Sequence, residues 1–249
     1  MKKLLSLLLT LLTLLSLAAC AGDKTPAETA GTENAGQKSA DALPTVLNQG
    51  EYVLYQNVFF NDMAGDYLGK TLTKEGTFTR LYDAFSQKTR YYVWGYMDAT
   101  KCCDWQWEFV PKDPDSLPAN GSLVKMTGVF ARDEAALDKL WLTDAAVELE
   151  TAYTGPDCDV DMSAMSATLE RVQLLNMQYK PEAFEGQSLC LYGRILSPGT
   201  IQHPYYDNAW TQAYAAQGES PAIGTMVLLS GTWKQGQVAE AALKGTSDY

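Results

Sequence analysis

The sequence predicts a mainly β protein: two related small barrel modules with short helices, behind an export signal and a disordered tether. Three observations carry this. Short runs alternate apolar with polar residues and are bounded by glycine, asparagine and proline turns, the pattern of half-buried strands. Two segment pairs recur in the same order along the chain. The N-terminus has the charge, greasy core and small-residue close of a secretory signal.

At the N-terminus, Lys2 and Lys3 precede an apolar run over residues 4–17 broken only by Ser and Thr. That run is shorter than the roughly 20 residues a spanning helix needs. It closes with LAAC at 17–20. This ending resembles the bacterial lipobox, whose cysteine is acylated before cleavage. The resemblance implies a signal peptide over 1–19 and lipid (palmitate-type chains) on Cys20. Two or three chains anchor stably where one is marginal. The plainer reading is an ordinary signal with a coincidental cysteine. Residues 20–44 then read as the lipidated cysteine and a flexible tether: AGDKTPAETAGTENAGQKSADALP has no aromatic residue and no apolar period. As a coil it reaches about 25–30 Å.

The repeat follows. YLGKTLTKEG at 67–76 matches FEGQSLCLYG at 184–193, both aromatic-x-Gly-x-x-Leu-x-x-x-Gly. PANGSLVKMTGVF at 118–130 matches PAIGTMVLLSGTW at 221–233. The matches predict module one over 45–150, an acidic linker over 151–164 and a divergent module two over 165–249. Gly69 and Gly121 lie farther apart than Gly186 and Gly224, so module two has lost about a hairpin between its matched strands.

In module one, residues 70–81 alternate and read as the first strand, and 89–97 (TRYYVWGYM) as an aromatic second strand. Residues 102–110 return as the third. On it Cys103, Trp105, Trp107 and Phe109 share one face, and Asp104, Gln106 and Glu108 the other. Asn120-Gly121 supplies a tight turn. Residues 123–131 and 140–147 are the fourth and fifth strands, joined through 134–139 with a helical turn. The pattern aromatic-x-Gly-Lys-x-Leu-x-x-x-Gly-x-Phe from Tyr67 to Phe78, followed by NGSLVKMTGVF at 120–130, resembles the OB-like barrels of bacterial exported proteins and lipoproteins. The Cys102–Cys103 pair resembles a Cys-Cys feature of some of these. The resemblance implies a five-stranded barrel and says little of activity. In module two, residues 205–217 read as a short helix, with Trp210 and Tyr214 four apart.

Composition excludes several classes. The chain is acidic, formal net charge −11, and loses two more positive charges with the signal. Phosphate backbones repel such a surface, so no nucleic-acid partner is expected. The single histidine, His203, cannot build a His-rich zinc site, and before Pro204 it reads as a turn residue. No nucleophile elbow, P-loop or dinucleotide fingerprint is present, and no catalytic residue, metal or cofactor is assigned.

Candidate chemistry is sparse. Beyond Cys20, Cys102, Cys103, Cys158 and Cys190 allow three complete pairings. They read as structural disulfides or buried thiols, or else as a redox or soft-metal site. A bridge from Cys102 or Cys103 to Cys158 or Cys190 would pin the two halves together. Asp157, Asp159 and Asp161 alternate like an EF-hand start, but Met162 and Thr168 occupy the places of its Gly and Glu, so they read as a solvated acidic linker. Tyr91, Tyr92, Trp94 and Tyr96 form the candidate ligand platform, because that region of an OB barrel binds ligands. For Trp105 and Trp107 core packing is expected. Asp104 and Glu108 read as a solvated face.

The expected function is a membrane-anchored extracytoplasmic binding or assembly module without catalysis. Its partners are a membrane through Cys20 and a protein or saccharide. The competing readings are a redox or metal protein using Cys102 and Cys103, and an accessory subunit of a transporter.

Overall fold

A computed structural model describes residues 46–47, 67–96, 103–133, 139–203, 211–216 and 218–246. The expected signal peptide, the tether and Cys20 lie outside the described residues. So do Cys102, most of the expected helical turn at 134–139, and residues 204–210 and 217.

The fold is mainly β, as expected. Strands β2 (Thr71–Asp83), β3 (Lys88–Tyr96), β4 (Asp104–Pro111), β5 (Leu123–Arg132) and β6 (Leu140–Thr151) close the first barrel. Around the ring the order is β2-β3-β4-β6-β5, and β5 returns to β2. Only the β4–β6 contact in the ring is parallel. This is a five-stranded Greek-key ring of the OB type. Strand β1 (Val46–Leu47) adds a short parallel pairing to β2.

The second half repeats the plan. Strands β8 (Ser188–Ser197), β9 (Thr200–Gln202), β10 (Thr211–Ala216), β11 (Met226–Lys234) and β12 (Gln237–Gly245) follow the order β8-β9-β10-β12-β11, and β11 returns to β8. Strand β7 (Val160–Asp161) lies parallel on β8, as β1 does on β2. The expected helix over 205–217 is corrected here: its described part is strand β10. Trp210 lies outside the described residues, so the helical spacing rests on Tyr214 alone. On β10 Tyr214 points inward and is buried. The backbone there pairs with β9 on one side and β12 on the other. Closing the ring satisfies the donors and acceptors of this alanine-rich segment, and that outweighs its weak helical preference.

The repeat is visible bond by bond. Gly69 N–H donates to Phe130 O at 2.8 Å, and Gly186 N–H to Trp233 O at 2.9 Å. Gly121 N–H donates to Phe78 O at 2.9 Å, and Gly224 N–H to Ile195 O at 2.8 Å. Gly76 stands opposite Val124, and Gly193 opposite Val227. The chain missing from the second half is taken from its second and third strands: β9 and β10 have 3 and 6 residues, β3 and β4 have 9 and 8.

Inside the first barrel, Leu72, Phe78, Val93, Trp105, Trp107 and Phe109 are buried, which confirms the core placement of the two tryptophans. The Trp105 ring needs Gly95, where an added Cβ would meet it at 2.6 Å. Lys74 is also enclosed, with Nζ 3.8 Å from the Trp105 ring centroid.

Among the described residues, helix α1 (Ala167–Tyr179) lies between the barrels. Ser166 caps it, its side chain accepting from Leu169 N–H. Its buried residues include Glu170, Gln173 and Asn176, so it lacks the single apolar stripe of a surface helix. A cluster of Leu81, Ala84 and Trp94 from the first half packs with Leu169, Met177, Leu191 and Trp233 from the second. Among the described residues, no helix is long and apolar enough to cross a membrane.

Candidate ligand cleft

The expected aromatic platform splits between two environments. Tyr91 faces the interior of the first barrel, its ring 6.0 Å from Phe109. Trp94 is buried in the cluster shared with the second half, and its indole N–H donates to Thr79 Oγ1 at 3.0 Å. Tyr92 and Tyr96 are half-buried against the same cluster. The outer side of β3 is therefore largely covered by the chain itself. Burial, with the Glu108 charge nearby, pushes the Tyr92 hydroxyl up to about 12.

The acids of β4 are engaged, not freely solvated. Asp104 accepts from Thr168 N–H at 2.9 Å and Thr168 Oγ1 at 2.7 Å, at the start of α1. Gln106 Nε2 donates to Ser166 Oγ at 3.3 Å. Asn176 Oδ1 accepts Ala84 N–H at 3.1 Å. Glu108 pairs with Lys139 at 2.7 Å and Arg90 at 3.6 Å. Alternation puts all three β4 side chains on one side, but only the tertiary fold brings a helix to that side.

Among the cysteines, Cys158 and Cys190 pair with each other, with Cα atoms 6.1 Å apart. Of the three complete pairings that the sequence leaves open, only the one joining Cys158 to Cys190 contains this bridge. Parallel pairing of β7 with β8 places Asp161 opposite Cys190 and draws Cys158 alongside. Cys103 is exposed just before β4.

The acidic segment is not uniformly solvated. Asp159 is exposed and accepts from Ser188 N–H and Oγ, both at 2.8 Å; these bonds hold its carboxyl below the usual range. Asp161 is buried and caps a short 3-10 turn at Met162–Ala164, accepting from Ser163 N–H at 3.0 Å. Burial raises its carboxyl and also raises the nearby Tyr153 hydroxyl, to about 12. Among the described residues, no group of three or more His, Cys, Asp or Glu side chains is placed to hold a metal ion.

A cavity opens where β9 and β10 are short. It has a volume of about 400 Å³, within the usual range for small-molecule sites. Helix α1 supplies one wall through Leu174, Met177 and Gln178. Leu191, Ile201 and Trp233 form an apolar floor from the barrel. Thr200, Thr211, Gln212 and Ala213 stand along the second and third strands, and Gly236 lies in the turn between the fourth and fifth. These are the elements with which OB barrels hold ligands. Gln212 Nε2 ties the two sides together, donating to Gly236 O at 3.3 Å. The Trp233 ring is fixed by its N–H, which donates to Pro181 O at 3.2 Å.

His203 also lines this cleft. Only 4% of it is exposed, and its Nε2 contacts Glu170 Oε1 on α1. Burial pushes the Glu170 carboxyl up, opposed by its bond to His203. The pair fastens α1 over the cleft. Sequence reading missed it because Glu170 and His203 are far apart in the chain. No local pattern marks the pair, because Arg171, Gln173 and Asn176 stand beside Glu170 on the same helix.

No protein-family model matches this chain, and no curated protein shows significant sequence similarity to it.

Proposed function

We propose that this protein is a lipid-anchored, extracytoplasmic binding module without catalytic activity, and that it takes its ligand in the cleft of the second barrel. One observation carries the binding reading. The second and third strands border an open cleft in the second barrel, whereas their counterparts in the first are packed against α1 and its neighbours. On this reading the first barrel is a scaffold, and the second is the half that meets a ligand. The anchor rests on the N-terminal charge, the short apolar run and LAAC at 17–20.

Two measurements test the two parts. Intact mass of the mature chain from bacterial membranes should show cleavage before Cys20 and acyl chains on it; an unmodified cysteine would remove the anchor. The purified full chain, titrated with the small-molecule fraction of a bacterial envelope, should show amide shifts centred on Thr200, Thr211 and Ala213. Gln178 is exposed at the cleft on α1, so Gln178→Trp should fill the opening and abolish those shifts. Shifts elsewhere, or none, would sink the binding reading.

A further inference from the structure

We infer that the cleft takes an uncharged, hydroxyl-bearing ligand with one apolar face, namely a short neutral saccharide; this rests on the binding reading above and gives its ligand a chemical class. The first argument is charge. The chain contains 30 acidic and 19 basic side chains. Among the described residues lining the cleft, none is Asp, Glu, Lys or Arg. The one titratable side chain there, His203, is already engaged by Glu170. A carboxylate or ammonium ligand would give up its hydration without gaining a counter-charge, which is strongly unfavourable.

The second argument is the division of the lining. Leu174, Met177, Ile201 and Trp233 give an apolar surface suited to the C–H face of a sugar ring. Gln178 carries a side-chain amide, and Gln212, whose Nε2 already donates to Ala213 O and Gly236 O, keeps its Oε1 as an acceptor, so the lining offers both donors and acceptors. Sugar hydroxyls need both at once. A purely apolar ligand would strand these groups, and a charged one would find no partner. A peptide would engage an open strand edge through its main chain, whereas β9 and β10 are already paired on both sides.

Calorimetry and amide shifts of the full chain test this with five probes. Two are neutral sugars, maltotriose and chitotriose. Two are charged, the glucosamine trimer and trigalacturonate. The fifth is the capped peptide acetyl-Ala-Ala-Ala-amide. A neutral trisaccharide should bind with at least about tenfold preference over the charged ones. Gln178→Trp, at an exposed position on the α1 wall, should weaken it by at least about tenfold while leaving the thermal midpoint unchanged. Gln212→Trp, on the same strand face as Ile201, serves if the first variant misfolds. Neutral-sugar binding insensitive to both variants would overturn the placement. Charged sugars or the peptide binding in its stead, sensitive to the variants, would overturn the saccharide class and keep the cleft. No binding of either neutral sugar, while envelope-fraction shifts persist at the cleft, would overturn the class alone. Loss of those shifts as well would remove the reading beneath it.

Discussion

Asp104 of the first barrel accepts two hydrogen bonds from Thr168 in the first turn of α1, at 2.9 and 2.7 Å from its N–H and its hydroxyl. Ser166 already satisfies Leu169 N–H from within the helix. The carboxylate therefore serves a second first-turn donor, and its charge suits the positive end of the helix. A strand of one barrel thus helps to terminate a helix belonging to the other half.

Asp104→Ala should destabilise the protein by about 1 kcal/mol, the usual worth of a helix cap. Thr168→Ala should cost a similar amount, and the double variant less than the two together, because they share one interaction. Urea unfolding of the three variants measures the coupling. Full additivity would mean that the contact contributes nothing to docking.

The disulfide encloses α1 and closes a loop with a sequence separation of 32. On loop-entropy grounds, Cys158→Ser with Cys190→Ser should remove about 3–4 kcal/mol. A reductant should produce the same loss in the native protein and none in the double variant. Denaturant midpoints with and without reductant provide the check.

Two equivalent glycines should differ in tolerance. Gly121 and Gly224 both have positive φ, 84° and 88°, so an alanine at either is strained by roughly 1 kcal/mol or more. At Gly121 a Cβ would also lie 2.5 Å from the Tyr153 ring, whereas at Gly224 nothing stands within 4 Å. Gly121→Ala should therefore be the more damaging, by about 1–3 kcal/mol of overpacking. Equal losses in thermal or urea unfolding would contradict the Tyr153 contact.

Glu170 gives a pH signature. Its folded-state carboxyl is raised by burial, so between its unfolded and folded values the native state holds more protons. Stability from this group is complete below the ordinary value of 4.5 and falls as pH rises through the folded value. Glu170→Gln should flatten that part of the stability–pH curve. Asp161 is shifted the same way and stays in both proteins, so the difference between the two curves isolates Glu170. Superimposable curves would show that burial does not load this carboxyl.

The strands of the first barrel could be read nearly to their ends. Alternation around Trp105, Trp107 and Phe109 is local, and so is the turn at Asn120-Gly121. The repeat could be read because the glycines that permit positive φ and close strand packing leave few substitutes at Gly69, Gly121, Gly186 and Gly224. Strand β10 escaped because alanine favours a helix locally, whereas its pairing with β9 and β12 is set by the ring as a whole.

By itself the sequence determined that two copies of one barrel would form, since inward-facing residues and turn glycines act within a few positions of one another. Only the tertiary structure decided which strand face stays open. Trp94, Asp104 and Gln106 became a docking surface because α1 arrives from a distant part of the chain and covers them. Glu170 met His203, and the cleft opened beside them, because shortened strands left space that no local pattern records. Periodicity fixes which side of a strand a residue faces, whereas long-range packing determines what occupies that side.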